Sequence, residues 1–306
     1  MPVTDFAVAS VGKIRASQSP LLMRTLGNRN GMNIPFYTGF AWAYDLLIQG
    51  PVGSRIDFVV EQFRRRGILP GTHLLDAGCG TGSYSIILAE KGFVVTGFDA
   101  SEALIAEAKR KTGEAAGRTN FLVGDILSLP ADLQVDATLC RGVLNDLTDE
   151  DSRRRVFGSF ASAMCQGGVL ILDVREWQST VARKTANPLF ERTVETERGR
   201  LTFRSVTELQ PENQSLRISE THVLESPSGR QVAPWDFVMR CWTQGELTEL
   251  LCAAGFRSVE YFGDYDVTKP VGTTDRLVAV TTLRNGVERK PTSPCTPRRC
   301  RAGRDG

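Results

Sequence analysis

At 306 residues with 41% hydrophobic content, the chain is long enough for one large domain, or a domain with a sizeable insertion, and apolar enough to build a core. Its net charge of +2 conceals a basic tail. From Glu288 onward six basic residues (Arg289, Lys290, Arg298, Arg299, Arg301, Arg304) face two acids (Glu288, Asp305), a balance of +4 that leaves the rest of the chain at about −2. A nearly neutral body lacks the broad cationic surface that phosphate neutralisation requires, which argues against a nucleic-acid partner. No apolar run approaches the roughly 20 residues needed to span a bilayer, so no membrane association is expected. The seven cysteines, an odd number with no secretory signal before them, fit a reduced, cytoplasmic setting without disulfides. With only His73 and His222 and no C-x-x-C spacing, no metal site is expected.

Residues 1 to about 35 mix Ser, Gly, Asn and Pro with short apolar groups and read as a loose leader, with a helix around Ser19 to Leu26. A helix is expected from Phe36 through Leu47, and another over Val52 to Arg66, where Ile56, Val59, Val60 and Phe63 recur at helical spacing. Short apolar runs at His73 to Ala77, Val94 to Phe98, Asn120 to Val123, Ala137 to Cys140 and Val169 to Val174 read as buried parallel strands. Helices over Ser83 to Lys91, Glu102 to Thr112 and Glu150 to Cys165 alternate with them, the last opened by Thr148 with Asp151 as its capping partner. This alternation implies right-handed crossovers and a doubly wound sheet. After Glu176 the pattern changes. Arg200 to Leu209, Ser215 to Leu224 and Gln231 to Met239 have period-2 character, with turns at Pro211-Glu212-Asn213 and Pro227-Ser228-Gly229, and predict an antiparallel insertion. The parallel pattern then resumes with a helix from Thr243, capped with Glu246, to Ala254 and strands around Val259 to Tyr265 and Arg276 to Leu283.

The strand ending in Asp76-Ala77-Gly78-Cys79-Gly80-Thr81-Gly82 leads into a helix, which places backbone N–H groups and a helix N-terminus at the carboxyl edge of the sheet, where open α/β folds bind ligands. The glycines fall as G-x-G-x-G. Ser83 occupies the third position of a dinucleotide G-x-G-x-x-G fingerprint, and no P-loop lysine follows. Asp99, at the end of the next strand, can accept both hydroxyls of an unphosphorylated ribose; capping of the following helix, shared with Ser101, is the alternative role.

The glycine loop and Asp99, in consecutive βα units, make residues 74 to about 172 similar to the class I S-adenosylmethionine (SAM)-dependent methyltransferases, with weaker similarity out to Leu283. The resemblance implies an α/β, doubly wound, seven-stranded Rossmann-like sheet with an antiparallel β insertion after the fifth strand. It implies SAM as cofactor and S-adenosyl-L-homocysteine as product. In it Asp76, Ala77, Gly78 and Gly80 line the methionine end, Asp99 binds ribose, Asp125 binds the adenine amino group, and Ala100 and Ile126 flank the ring. Asp125 could instead be a strand-end turn residue. Arg141-Gly142-Val143-Leu144-Asn145-Asp146 replaces the Asn-Pro-Pro-Tyr signature of many base and glutamine methylases, which favours a small-molecule acceptor. Backbone at Arg141 and Gly142 is expected beside the methionine moiety. Asn145 and Asp146 face the reaction centre or cap the following helix.

Phe36-Tyr37 and Ala43-Tyr44-Asp45 before the core, with the later insertion, resemble small-molecule N-methyltransferases acting on amino sugars or glycine, in which a tyrosine such as Tyr37 or Tyr44 closes over SAM. Phe40 and Trp42 are expected to pack the cap. Arg175, just past a strand end, can clamp an acceptor carboxylate or phosphate, or pair with Glu176 at the surface. Cys79 is read as packing, and both histidines as structural. The expected organisation is an N-terminal helical cap (1–70), a SAM-binding α/β core (71–176), an antiparallel β insertion covering the acceptor site (177–242), the end of the core (243–287) and a disordered basic tail (288–306). The expected activity is methylation of a small-molecule amine or hydroxyl, with a homodimer as the assembly considered. A non-catalytic SAM-binding regulator and a protein or RNA methylase are the alternatives; a nicotinamide dehydrogenase is disfavoured by Ser83.

Overall fold

The computed structural model describes residues 34–48 and 52–284; the helix expected around Ser19 to Leu26 and the tail from Glu288 lie outside them. Five parallel strands, β1 (His73–Ala77), β2 (Val94–Asp99), β3 (Thr119–Val123), β4 (Val135–Cys140) and β5 (Met164–Arg175), are joined by β10 (Phe256–Gly263) and β11 (Arg276–Leu283) in one sheet of order β10-β11-β5-β4-β1-β2-β3. β11 runs antiparallel to β5 and β10. The strand order reverses between β1 and β4, so the loops that follow these two strands open a crevice at the carboxyl edge. This is the seven-stranded sheet that the resemblance implies, but β11 runs against its neighbours where the sequence pattern suggests a further parallel strand, because a short turn region rather than a crossover helix joins β10 to it.

Alternation along each strand divides the core into two layers. Leu75, Leu170, Leu172 and Ala279 face α6 (Glu150–Ala163) and α8 (Gln244–Ala253), whose Phe157, Phe160, Leu247 and Leu251 complete one cluster. Leu74, Leu139, Ile171 and Val280 face α3 (Val52–Arg65) and α4 (Ser83–Glu90) through Ile56, Val59, Phe63 and Leu88. The remaining core helix, α5 (Glu102–Lys111), is capped by Ser101, whose side chain accepts the Leu104 N–H.

After β5 the chain forms α7 (Trp177–Ala186) and a four-stranded antiparallel sheet, β6 (Leu189–Thr196), β7 (Gly199–Gln210), β8 (Ser215–Ser226) and β9 (Gly229–Arg240). It returns at Trp242, whose backbone N–H donates to Arg175 O at 2.9 Å while its carbonyl accepts the Trp177 N–H at 2.9 Å. Entry and exit of the insertion are therefore tied side by side at the end of β5. Among the described residues no helix is long and apolar enough to cross a membrane.

Local details differ from the sequence expectation for physical reasons. The single helix expected over Phe36 to Leu47 is instead α1 (Ile34–Tyr37), a 3-10 turn (Ala41–Ala43) and α2 (Tyr44–Leu47). Thr38-Gly39 breaks it, as low helix propensity allows. Asp149, not Thr148, caps α6, because its carboxylate stands next to the first helical residue and accepts the Ser152 N–H at 2.8 Å. β6 carries no fully buried side chain, so it lacks the burial alternation that marks its partners, and neither it nor α7 stood out in the sequence.

Candidate active site

The glycine loop follows β1 and turns sharply at its first residue. Gly78 has φ +77°, and a Cβ there would lie 2.1 Å from Val143 Cγ2, so only glycine lets the loops after β1 and β4 approach this closely. Gly80, at φ +56°, has open space where a side chain would project, leaving its backbone accessible to a ligand. Its N–H donates to Asp99 Oδ2 at 2.9 Å, and Ser101 N–H donates to Asp99 Oδ1 at 2.9 Å. These backbone donors aim the carboxylate at the crevice. Burial raises the Asp99 pKa to about 6, against the lowering effect of both hydrogen bonds.

A cavity runs from this point, walled by Tyr37, Gly78, Asp99, Ala100, Asp125 and Ile126, with Gly124, Val143, Asp146 and Leu147 completing it. Seven of the sequence-derived candidates thus meet in one space. Asp125 Oδ1 also accepts the Leu127 N–H at 2.9 Å, so the residue serves its turn while lining the cavity. Gly124, Val143 and Leu147 were not singled out from sequence; they are apolar or small, with no chemical signature.

Other candidates lie around the cavity. Asp76 is 3% exposed and turns beneath the glycine loop, accepting the Ser85 hydroxyl at 2.6 Å, and Ala77 is fully buried at the end of β1. The Arg141 guanidinium stacks over the Tyr84 ring at 3.3 Å. The Gly142 N–H donates to Asp173 Oδ1 at 2.9 Å. Asp173 also accepts from Tyr265 Oη and Arg276 Nη1, each at 2.6 Å. Burial pushes its carboxyl up, but the nearby Arg276 and Arg141 charges and these donors outweigh that and hold it below the usual range. This buried network fixes the backbone at Arg141-Gly142, and no local spacing announced Asp173, Tyr265 and Arg276, which come from strands far apart in sequence.

The turn after β4 carries Asn145 and Asp146, which the fold uses differently. Asn145 is 2% exposed; its Nδ2 donates to Arg240 O at 2.8 Å and its Oδ1 accepts the Arg175 N–H at 3.0 Å. Its amide is therefore occupied in joining the turn to β5 and to the end of β9, a positioning role rather than the one expected at a reaction centre. Asp146 instead faces the cavity. Its Oδ2 accepts the Tyr37 hydroxyl at 3.4 Å, and its buried Oδ1 has no hydrogen-bond partner among the described residues. Burial raises its pKa to about 7, opposed by the Tyr37 hydrogen bond and the Arg175 charge.

Arg175 donates to Asp275 Oδ2 at 2.5 Å, and Arg183 reaches the same oxygen at 2.7 Å. The surface pairing with Glu176 is replaced by this shared carboxylate, while Glu176 caps α7.

The cap is fastened to the site by long-range polar contacts. Ser101 Oγ donates to Tyr37 O at 2.6 Å, Thr81 Oγ1 donates to Asp45 Oδ1 at 2.6 Å, and Lys111 Nζ reaches Asp45 Oδ2 at 2.5 Å. Tyr44 packs edge-on against Phe36 at 5.5 Å, and burial pushes its hydroxyl up to about 12. It lies in the apolar cluster of Phe36, Phe40, Leu201 and Phe203, outside the cavity wall. Trp42 and Phe40 pack in that cluster as expected. Cys79 packs with Ile105, Ala108 and Phe121, and burial keeps it a thiol.

Residues 74–168 match the model of a methyltransferase domain. The glycine/sarcosine N-methyltransferase of Halorhodospira halochloris is 34% identical over 148 residues, covering 46% of this chain and 54% of that protein. The chain thus spans about half the length of the curated relatives it matches. Among solved structures, an S-adenosylmethionine-dependent methyltransferase from Clostridium acetobutylicum superposes with a TM-score of 0.69 at 18% identity, over 81% of this chain and 99% of that one. A sugar N-methyltransferase from Streptoalloteichus sp. gives 0.67 at 19% identity, over 92% and 100%. Residues 74–168 are thus similar to a methyltransferase domain, and the sheet carries the fold of S-adenosylmethionine-dependent methyltransferases.

Proposed function

We infer that the protein transfers a methyl group from SAM to the nitrogen of a small-molecule amine. The observation that carries this reading is the placement of the Tyr37–Asp146 pair on the same cavity as Asp99. The residues fit the cofactor: Gly80 leaves its backbone uncovered, Asp99 offers a preset carboxylate to the ribose hydroxyls, and Asp125, Ala100 and Ile126 surround the space assigned to adenine. Arg141 and Gly142 flank the methionine end. SAM bound there supplies a methyl group on a sulfonium that leaves as a neutral thioether.

Such a displacement asks the protein mainly to align the acceptor and exclude water. An amine adds one demand, because it is protonated near neutrality and must lose that proton to attack. Asp146, with a pKa of about 7 and one oxygen unsatisfied, is matched to take it. The acceptor nitrogen forms its bond to the methyl carbon as the carbon–sulfur bond breaks, and its proton passes to Asp146. Tyr37 holds the carboxylate in place. Arg175, anchored by Asp275, provides positive charge on the acceptor side. The names of the glycine/sarcosine and sugar N-methyltransferases to which the chain is similar support a small nitrogen acceptor. Incubation with methyl-labelled SAM and a broad set of small amines tests the reading. Label in a nitrogen of one of them is the expected result; SAM binding with no transfer to any small molecule would favour the regulator.

A further inference from the structure

Arg141 follows β4, and its side chain lies against α4. Its Cζ stands 3.3 Å from the centre of the Tyr84 ring, in the first turn of that helix, and 5.9 Å from the centre of the Tyr265 ring. Rings hold a guanidinium by its face and leave its rim of N–H donors free. No described residue takes those donors: the Nε is buried without a hydrogen-bond partner, and Arg141 forms no ion pair among the described residues. The strands on either side of β4 each bring an acid to this edge, and both acids are engaged elsewhere. Asp76 of β1 accepts the Ser85 hydroxyl, and Asp173 of β5 accepts from Gly142, Tyr265 and Arg276.

A half-buried cation whose donors are unmet is costly, and an anion placed against it removes the cost. The backbone leaves room for one. Gly142, the next residue, has φ +69° and nothing within 4 Å of where a Cβ would stand, and the same holds for Gly80 of the glycine loop at φ +56°. α4 starts at the end of that loop with Gly82 as its N-cap and no capping side chain, so the N–H groups of its first turn add partial positive charge beside Tyr84. A guanidinium fork matches a carboxylate through two parallel hydrogen bonds. SAM carries its carboxylate on the methionine end, the end assigned to Arg141 and Gly142.

We propose that the Arg141 side chain receives the methionine carboxylate of SAM and makes the protein select nucleosides that carry an amino-acid tail. This rests on the methyl-transfer reading and adds to it the group that tells SAM from nucleosides without the carboxylate, which leave the guanidinium unpaired. The carboxylate is remote from the carbon–sulfur bond that breaks and is unchanged in S-adenosylhomocysteine, so the contact strengthens substrate, transition state and product equally. Arg141 therefore governs affinity for the cofactor and not the rate of transfer.

Titration of S-adenosylhomocysteine and of its decarboxylated analogue into wild type, Arg141→Lys and Arg141→Leu tests the proposal. The wild type is expected to bind S-adenosylhomocysteine about tenfold or more tightly than the analogue, as a charged hydrogen bond implies. Arg141→Leu should bind the two alike, and Arg141→Lys, which keeps the charge and loses the fork, should retain part of the preference. In methyl transfer, Arg141→Leu should raise KM for SAM with kcat close to wild type. Equal binding of the two ligands by the wild type, or a full preference that survives in Arg141→Leu, overturns the proposal alone. So does a raised KM for the amine in Arg141→Leu with S-adenosylhomocysteine affinity unchanged, which would give the guanidinium to the acceptor. If Arg141→Leu does not fold, the wild-type ratio and Arg141→Lys decide. A wild type that binds neither ligand overturns the functional reading beneath it.

Discussion

The Tyr37 hydroxyl donates to the Asp146 carboxylate at 3.4 Å across 109 residues of sequence, joining the cap to the turn after β4. The contact places a carboxylate with a pKa of about 7 on the cavity, and in the proposed reaction it takes the acceptor's proton. A base works in its deprotonated form, so kcat should rise as pH increases through about 7 and level off above it. Asp146→Asn should lower kcat about 10²–10⁴-fold and abolish that pH limb while leaving SAM affinity near wild type. A pH–rate profile of the variant that kept the limb would assign the base elsewhere.

The same variant should gain stability. Because the folded pKa of Asp146 is raised, ionising it in the fold is costly: its favourable contribution is present below the unfolded carboxylate pKa and lost as pH rises through about 7. At about pH 8, Asp146→Asn should therefore melt above the wild type, the exchange of stability for activity expected at a strained site. Calorimetry at that pH decides it, and a lower melting temperature would mean that the charge is compensated.

His222 supplies an acid-sensitive point beneath the cap. Fully buried between Phe36 and Phe40, it has its pKa lowered by burial from 6.5 to about 4. The unfolded state then binds more protons between these values, so stability should fall as pH drops from 6.5 toward 4, by up to about 3 kcal/mol from this residue. His222→Phe should flatten the dependence of the melting temperature on pH across that window. An unaltered slope would show that other groups govern it.

Trp242 fastens the insertion to the turn carrying Asp146. It is fully buried, its Nε1 donates to Leu144 O at 3.2 Å, and Arg153 stacks over it at 3.5 Å. Trp242→Phe should cost about 1–3 kcal/mol through the lost donor and the space left behind. Urea unfolding measures this, and a change below about 0.5 kcal/mol would show that the turn repacks.

The strands of the sheet were legible because they are short uniform apolar runs, and His73–Ala77 and Arg276–Leu283 match their predicted limits, though the antiparallel direction of the latter was not. The cavity wall at the glycine loop and the strand-end acid was legible because each lies directly beside its own strand. The long-range contacts that support them were not. Asp45 meets Thr81 and Lys111, and Asp173 meets Tyr265 and Arg276, through contacts that no sequence spacing records. Asn145 and Asp146 show the limit most clearly: adjacent polar residues in one turn, of which the fold commits the first to backbone and turns the second to the cavity.

Calorimetric titration of SAM into wild type and Asp99→Ala measures directly whether Asp99 holds the ribose, as proposed. The variant should bind about 1–3 kcal/mol more weakly, the loss of a charged acceptor. Since Asp99 has its pKa raised to about 6, wild-type affinity should also fall as pH drops through that value, a dependence the variant should lack. Equal affinity in the two proteins would show that Asp99 does not hold the ribose.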